Sequence, residues 1–352
     1  MKEQKPTQKE WRKLYDVAVR VKELAPWEWM FEDETFGVQD PETGETGFVS
    51  VMGAGGEHYA VALYLNPKAH YEFLALHDAA EDEAGDDVMT AARVLEIPQL
   101  QAAFEDNKEL VKEDKAVIKQ LGLKFRGANA WPQFRSFAPG LFPWFLTGVE
   151  ARRLTHALTQ LLDVAPRCRE NEDLLLPSED DKEFLVRVPR EEDGKLVWED
   201  QVKTFPLPEP EQIPWLLEQA ALSEAKALPL VERVIELELM MMPMPVKEKK
   251  DERPIFPYLL MIADGQSGML LGNEMMQASP SLKAMYGQVP GKLVGTFLRM
   301  RGVPRFVRVR SELLADLLAP LTAELGLRVW LTDELPAIDS AMEFMGRLMP
   351  NW

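Results

Sequence analysis

The sequence predicts a two-part α+β / α/β chain: an acidic N-terminal α+β domain around an antiparallel meander, then a C-terminal domain with a mixed sheet in the order β-β-β-α-β-α-β-α. Three observations predict it. FPLPEPEQIP, Phe205 to Pro214, puts four prolines into ten residues, which forbids a helix interior and disfavours a central strand. Charge divides after the connecting stretch that follows, with 14 Lys and Arg against 15 Asp and Glu from residue 229 onward and 26 against 43 before it, a net −17. Methionine divides likewise, 13 of 17 falling after residue 228. The expected organisation is therefore a domain over 1–204, a proline-rich linker with a connecting helix over 205–228, and a second domain over 229–352.

In the first domain, Trp11, Leu14, Tyr15, Ala18 and Val21 recur at helical spacing and predict a helix from Thr7 to Ala25, ended by Pro26. Short strands follow at Trp27 to Phe31, Phe36 to Gln39, Gly47 to Met52 and His58 to Leu65, separated by PETGETG and GAGG turns. Asn66 as N-cap and Pro67 in the first turn open a helix to Leu76. Helices are expected over Val88 to Leu95 and Ile97 to Leu121, then an extended aromatic segment, a helix over Glu150 to Val164, and a hairpin of Glu183 to Val188 with Lys195 to Val202.

The second domain follows a connecting helix at Trp215 to Ala227. It reads as strands Val231 to Met242, Tyr258 to Ala263 and Met269 to Glu274, with DGQSG turning the last two. A helix at Pro290 to Arg301, a strand at Arg305 to Arg310, a helix at Ser311 to Leu325 closed by Gly326, a strand at Leu327 to Leu331 and a helix at Pro336 to Met349 complete it. KEKKDER, Lys247 to Arg253, reads as a solvated loop.

Composition excludes several classes. A net charge of −18 opposes general nucleic-acid coating. A polar start and the lack of any run of 18 apolar residues argue against a secretory signal and a membrane span, so a cytoplasmic protein is expected. A single cysteine, Cys168, forms no internal disulfide, and no CxxC, GxxxxGK[ST], HExxH or GxSxG occurs.

Two segments, YLLMIADGQSGMLLG (Tyr258 to Gly272) and GVPRFVRVRSELLADLLAPLTAELGLRV (Gly302 to Val329), resemble the integrase and transposase branch of the RNase H-like fold. The resemblance covers about 120 residues. It implies carboxylates at the first strand, after the fourth strand and on a late helix, holding a pair of Mg²⁺ or Mn²⁺ ions for phosphodiester chemistry. Here the first strand offers Glu236 and Glu238 in place of an Asp, Arg310 and Ser311 stand after the fourth strand with Glu312 the nearest acid, and Asp339 and Glu343 lie on the last helix. The resemblance thus implies a degenerate, non-catalytic member that serves as a protein-interaction module. The alternative is a divalent-metal-dependent nuclease or phosphotransferase using those five carboxylates. The whole chain also resembles a bacterial two-domain family of unknown function.

RMRGVPRFVRVR carries Arg299, Arg301, Arg305, Arg308 and Arg310 with no acid, a candidate site for an anion or an acidic partner. Its structural counterpart is an ion pair between Glu236 or Glu238 and Arg308 or Arg310 across neighbouring strands. Other candidates have plainer readings. Trp131, Phe134, Phe137, Phe142, Trp144 and Phe145 form a core or a protein groove rather than a base-stacking platform. Met240, Met241, Met242 and Met244 read as core fillers rather than Cu(I) ligands. His58, His70, His77 and His156 read as surface residues, GAGG as a hairpin loop, and Cys168 as a plain thiol despite its arginine neighbours.

Overall fold

The computed structural model describes residues 4–82, 93–176, 182–209, 212–242, 244–247 and 252–348. The protein is α+β, with one sheet in each half. It divides into two compact units, Met1–Ala138 with Pro143–Glu209, and Pro139–Phe142 with Pro210–Trp352. The second takes in the stretch 210–228 that the prolines would set apart as linker.

The first unit opens with α1 (Gln8–Leu24). The Thr7 hydroxyl accepts the Glu10 N–H, and the Glu10 carboxylate accepts the Thr7 N–H at 2.7 Å, a reciprocal cap of two orphan donors. The same device, Thr147 with Glu150, starts α4 (Gly148–Glu170). Between them lie β1 (Phe36–Gln39), β2 (Thr46–Met52), β3 (Ala60–Tyr64), α2 (Pro67–Asp82), β4 (Gln99–Glu105), α3 (Lys112–Gln120), β5 (Trp131–Ala138) and β6 (Leu141–Trp144). The hairpin β7 (Glu183–Glu192) and β8 (Lys195–Thr204) follows α4. The sheet runs β6-β5-β4-β3-β2-β1-β7-β8, a meander extended by the hairpin through a parallel β1–β7 contact. The apolar stripes of α1 and α4, among them Leu14, Ala18, Leu154, Leu158 and Leu161, close over Val49, Val61 and Leu100. Phe48, Tyr64, Phe73 and Ile97 form a second cluster involving α2.

Two expected elements differ. Trp27 to Phe31 is not a strand: Pro26–Glu28 is a 3₁₀ turn, entered from Ala25 at φ 52°, and it drops Trp27 into the core. Ile97 to Leu121 is not one helix. Gln99–Glu105 pairs with β3 and β5 as a central strand, and only Lys112–Gln120 is helical, since ladder partners on both sides outweigh helix propensity. The helix α4 also runs past Val164 through Pro166. Most of the helix expected over Val88 to Leu95, and residues 248–251 of the basic loop, lie outside the described residues.

The second unit contains α5 (Gln219–Lys226), β9 (Leu230–Met241), β10 (Tyr258–Asp264), β11 (Leu270–Met276), α6 (Leu282–Tyr286), α7 (Val289–Met300), β12 (Val303–Val309), α8 (Glu312–Leu325), β13 (Arg328–Leu331) and α9 (Pro336–Leu348). The sheet order is β11-β10-β9-β12-β13, with β10 antiparallel to both its neighbours and β9, β12 and β13 mutually parallel. Alternation along β9 sends Ile235 and Leu237 to one face and Glu236 and Glu238 to the other. Helix α9 seals the latter, with Leu335, Ala337 and Ile338 against Met240, Met242, Met261 and Ala263. Met240, Met241 and Met242 are thus buried fillers, while Met244 is exposed.

Candidate functional site

The carboxylates of β9 and Arg310, the residue just past β12, meet at the start of α9. Strand register sets Glu236 beside Arg308, which places Glu238 beside Arg310 two residues on. Glu236 is fully buried. Its Oε2 accepts the N–H groups of Ala337 (2.8 Å) and Ile338 (3.1 Å), so it caps the N-terminus of α9, where orphan donors and the helix dipole favour negative charge. Its Oε1 has no hydrogen-bond partner among the described residues. The Gly265 backbone lies close to that oxygen, and a Cβ there would come within 3.0 Å of it.

Arg310 forms the centre of the cluster. Its Nη1 lies 3.4 Å from Glu238 Oε2, its Nη2 donates to Asp339 Oδ1 at 2.7 Å, and its Nε donates to the Asp333 carbonyl at 3.0 Å. One guanidinium therefore ties β9, the β13–α9 loop and the first turn of α9 together, using its fork of donors. Asp339 also accepts the Leu335 N–H through Oδ2. A Glu to Arg pair between the two strands is present, in the combination Glu238 with Arg310.

The other candidates do not join it. Glu312 is exposed at the start of α8, and Glu343 pairs with Arg347 at 3.3 Å one turn along α9. Among the described residues no three His, Cys, Asp or Glu side chains are placed to hold one metal ion. The five arginines are likewise dispersed. Arg305 pairs with Glu232 at 2.6 Å, Arg301 is an exposed residue at φ 56° ending α7, and Arg299 donates to Thr296 Oγ1 at 2.7 Å. Arg308 has no carboxylate within 4.0 Å among the described residues.

Beyond the cluster, the β12–β13 part of the same sheet face is open. Register puts Trp330 beside Arg308 and Arg328 beside Phe306. The Phe306 and Trp330 rings sit 4.4 Å apart at 36°, and Trp330 is 45% exposed. β13 is also one of the sheet's two edge strands. The sequence signal for Trp330 and Arg328 was the alternation in Leu327 to Leu331, which carries meaning only once the neighbouring strand is known.

The remaining candidates take structural roles. Phe134 is core, edge-on to Tyr15 at 5.0 Å, while Phe145 lies under Arg135 and Phe142 against Phe256, so the aromatics form no single platform. His70 is not at the surface: it is buried, stacked on Phe48 at 4.1 Å, with Nε2 2.7 Å from Thr35 Oγ1. Burial pushes its pKa down to about 3. His58 lies 3.8 Å from Glu105, and desolvation lowers the pKa of half-buried His156. Burial pushes the Cys168 thiol up to about 11, outweighing Arg167, which is engaged with Asp200. Asp264 opens the DGQSG turn, and although desolvation raises its pKa, the Ser267 and Gln266 N–H groups hold it below the usual value. GAGG is a turn closed by Gly56 N–H to the Gly53 carbonyl.

A family model described as Domain of unknown function (DUF7309) matches residues 11–187, half of the chain. The chain belongs to that family. A second model, Domain of unknown function (DUF6930), matches residues 221–346, so DUF6930 contains every carboxylate and arginine of the candidate site, and DUF7309 contains the meander. No curated protein matches the chain. No helix among the described residues is long and apolar enough to cross a membrane.

Proposed function

We propose that the protein is a non-catalytic, cytoplasmic interaction module whose C-terminal domain is a degenerate RNase H-like domain, and that it takes an acidic, extended protein segment on the β12–β13 face. The observation that carries this reading is Arg310. At the places where the resemblance implies metal-binding carboxylates stand Glu238, Arg310 and Asp339, with Glu236 committed to a helix cap. A guanidinium between two carboxylates already fills the space between them and offsets one of their two charges, and a dication at the same spot would face its repulsion. These residues do not fit a pair of divalent metals. The strand order and directions, three antiparallel strands and then two parallel ones beside the first, support the RNase H-like plan.

The open face supplies what the closed cluster lacks. Arg308 and Arg328 have no carboxylate within 4.0 Å among the described residues, the Phe306–Trp330 pair is half open, and the β13 edge offers unpaired strand positions. Two cations suit two carboxylates of a peptide that adds to the edge as a strand. A nucleic acid needs more phosphate contacts than this to overcome the net −18.

Fluorescence anisotropy of a labelled peptide of alternating Glu and Phe tests the reading. We expect saturable binding that weakens in Arg308→Gln and Trp330→Ala and persists in Arg301→Gln. Preference for single-stranded DNA over the peptide, or DNA or RNA cleavage with Mg²⁺ or Mn²⁺ that vanishes in Glu238→Gln, would overturn it.

A further inference from the structure

Helix α7 and the β10–β11 edge of the sheet flank a groove of about 410 Å³, open to solvent on the Arg299 side, on the face opposite α9. That volume lies within the roughly 300–1,000 Å³ of small-molecule sites. Leu260 and Ile262 form its apolar floor, and Lys292 reaches from α7 to Glu274 on β11 at 2.5 Å, a pair that is neutral overall. Arg299 also lines it, with its terminal nitrogens over two glycines: a Cβ on Gly295 would meet only Arg299 Nη1, at 3.7 Å, and one on Gly272 would lie 3.8 Å from Nη2. Neither crowding nor a left-handed backbone calls for glycine at 295, and in a helix interior it costs about 1 kcal/mol relative to alanine. The consequence of its missing side chain is open space beside a guanidinium. Arg299 spends one donor on Thr296, and no carboxylate lies within 4.0 Å of it among the described residues.

The geometry points to a binding site for a small organic carboxylate with an apolar body. The cavity's uncompensated charge is one guanidinium, which suits a single negative charge, and a carboxylate matches its planar fork. The apolar part would lie on Leu260 and Ile262, where burial contributes about 25 cal/mol per Å². The site stands independently of the peptide-binding reading, since it lies on the other face of the sheet.

Titration calorimetry with benzoate, alongside inorganic phosphate, tests it. Benzoate should bind saturably in the roughly millimolar range. Arg299→Gln should weaken it about tenfold or more, the worth of a charge-assisted hydrogen bond. Gly295→Leu should abolish binding by filling the cavity, whereas Arg301→Gln, at the next arginine along the chain and outside the cavity, should bind as the wild type does. Circular dichroism checks folding, and if Gly295→Leu is unfolded, Arg299→Gln still decides. No saturable benzoate binding, equal binding in Arg299→Gln, or phosphate binding as tight as benzoate would overturn the assignment.

Discussion

At the scale of single residues, His70 couples stability to pH. Stacked on Phe48 and held by Thr35, it stays neutral in the folded chain down to about pH 3, whereas the unfolded chain protonates it near 6.5. Between those values the unfolded state holds the extra proton, so stability present above about pH 6.5 is lost as pH falls. The loss amounts to at most about 4–5 kcal/mol across the window. Thermal unfolding at about pH 7 and pH 4.5 should therefore show a smaller acid-induced drop in Tm for His70→Phe than for the wild type, after allowing for the lost Thr35 bond. Equal drops in the two proteins would show that His70 is not the titrating group. Its neighbourhood explains why spacing placed it wrongly at the surface. Asn66 and Pro67 correctly signalled the start of α2, but which face of that helix meets Phe48, Phe184 and Phe205 is set by strands far along the chain.

At the scale of elements, the junction of β9, β12 and α9 rests on Arg310. Glu238 is 8% exposed and Arg310 28%, between the surface pairs worth about 0–1 kcal/mol and the buried ones whose breakage costs about 3–5 kcal/mol. Arg310→Gln should accordingly destabilise the protein by about 1–3 kcal/mol in urea unfolding. A cycle with Glu238→Gln should return a coupling of about 0.5 kcal/mol or more, while Arg308→Gln with Glu238→Gln should be additive. Coupling in the Arg308 cycle instead would mean a different strand register. Much of this junction was legible. VIELELMMM and RFVRVR announced two alternating strands with acids on one and arginines on the other. The partner choice was not, because a parallel register has no local signal, and because Glu236, the nearer acid to Arg308, is drawn to the N–H groups of α9.

At the scale of the whole molecule, the second unit includes four residues, Pro139–Phe142, that lie among elements of the first in sequence. The Phe142 N–H donates to the Pro254 carbonyl at 2.9 Å and the Phe256 N–H to the Gly140 carbonyl at 2.9 Å. Gly140 holds φ 72°, and a Cβ on it would meet Ala278 at 2.6 Å. A single cut between the units thus leaves one of these strand partners covalently on the N-terminal fragment. Phe205 is tied down by its carbonyl to the Tyr71 hydroxyl at 2.6 Å, so the susceptible stretch starts after it. Brief digestion with a glutamate-specific protease should cut at the exposed Glu218, and the two fragments should co-elute in gel filtration until denaturant is added. Separation without denaturant would make the 139–142 contacts dispensable.

The sequence by itself determined the α+β class, the change of regime near the prolines, and nearly every element of the C-terminal half. Those features rest on local physics: periodicity of 2 or 3.6, capping residues and turn chemistry. Tertiary structure alone decided that Gln99–Glu105 is a central strand, that Trp27 follows a 3₁₀ turn into the core, and that 139–142 join the second unit. It also decided that one guanidinium closes the carboxylate cluster while Arg299 lines a cavity. The physical reason is common to all of these. A backbone ladder, a buried charge and an opening between elements are each defined by partners dozens of residues away, and the free energy of pairing or burying them outweighs the local preference that a short window of sequence records.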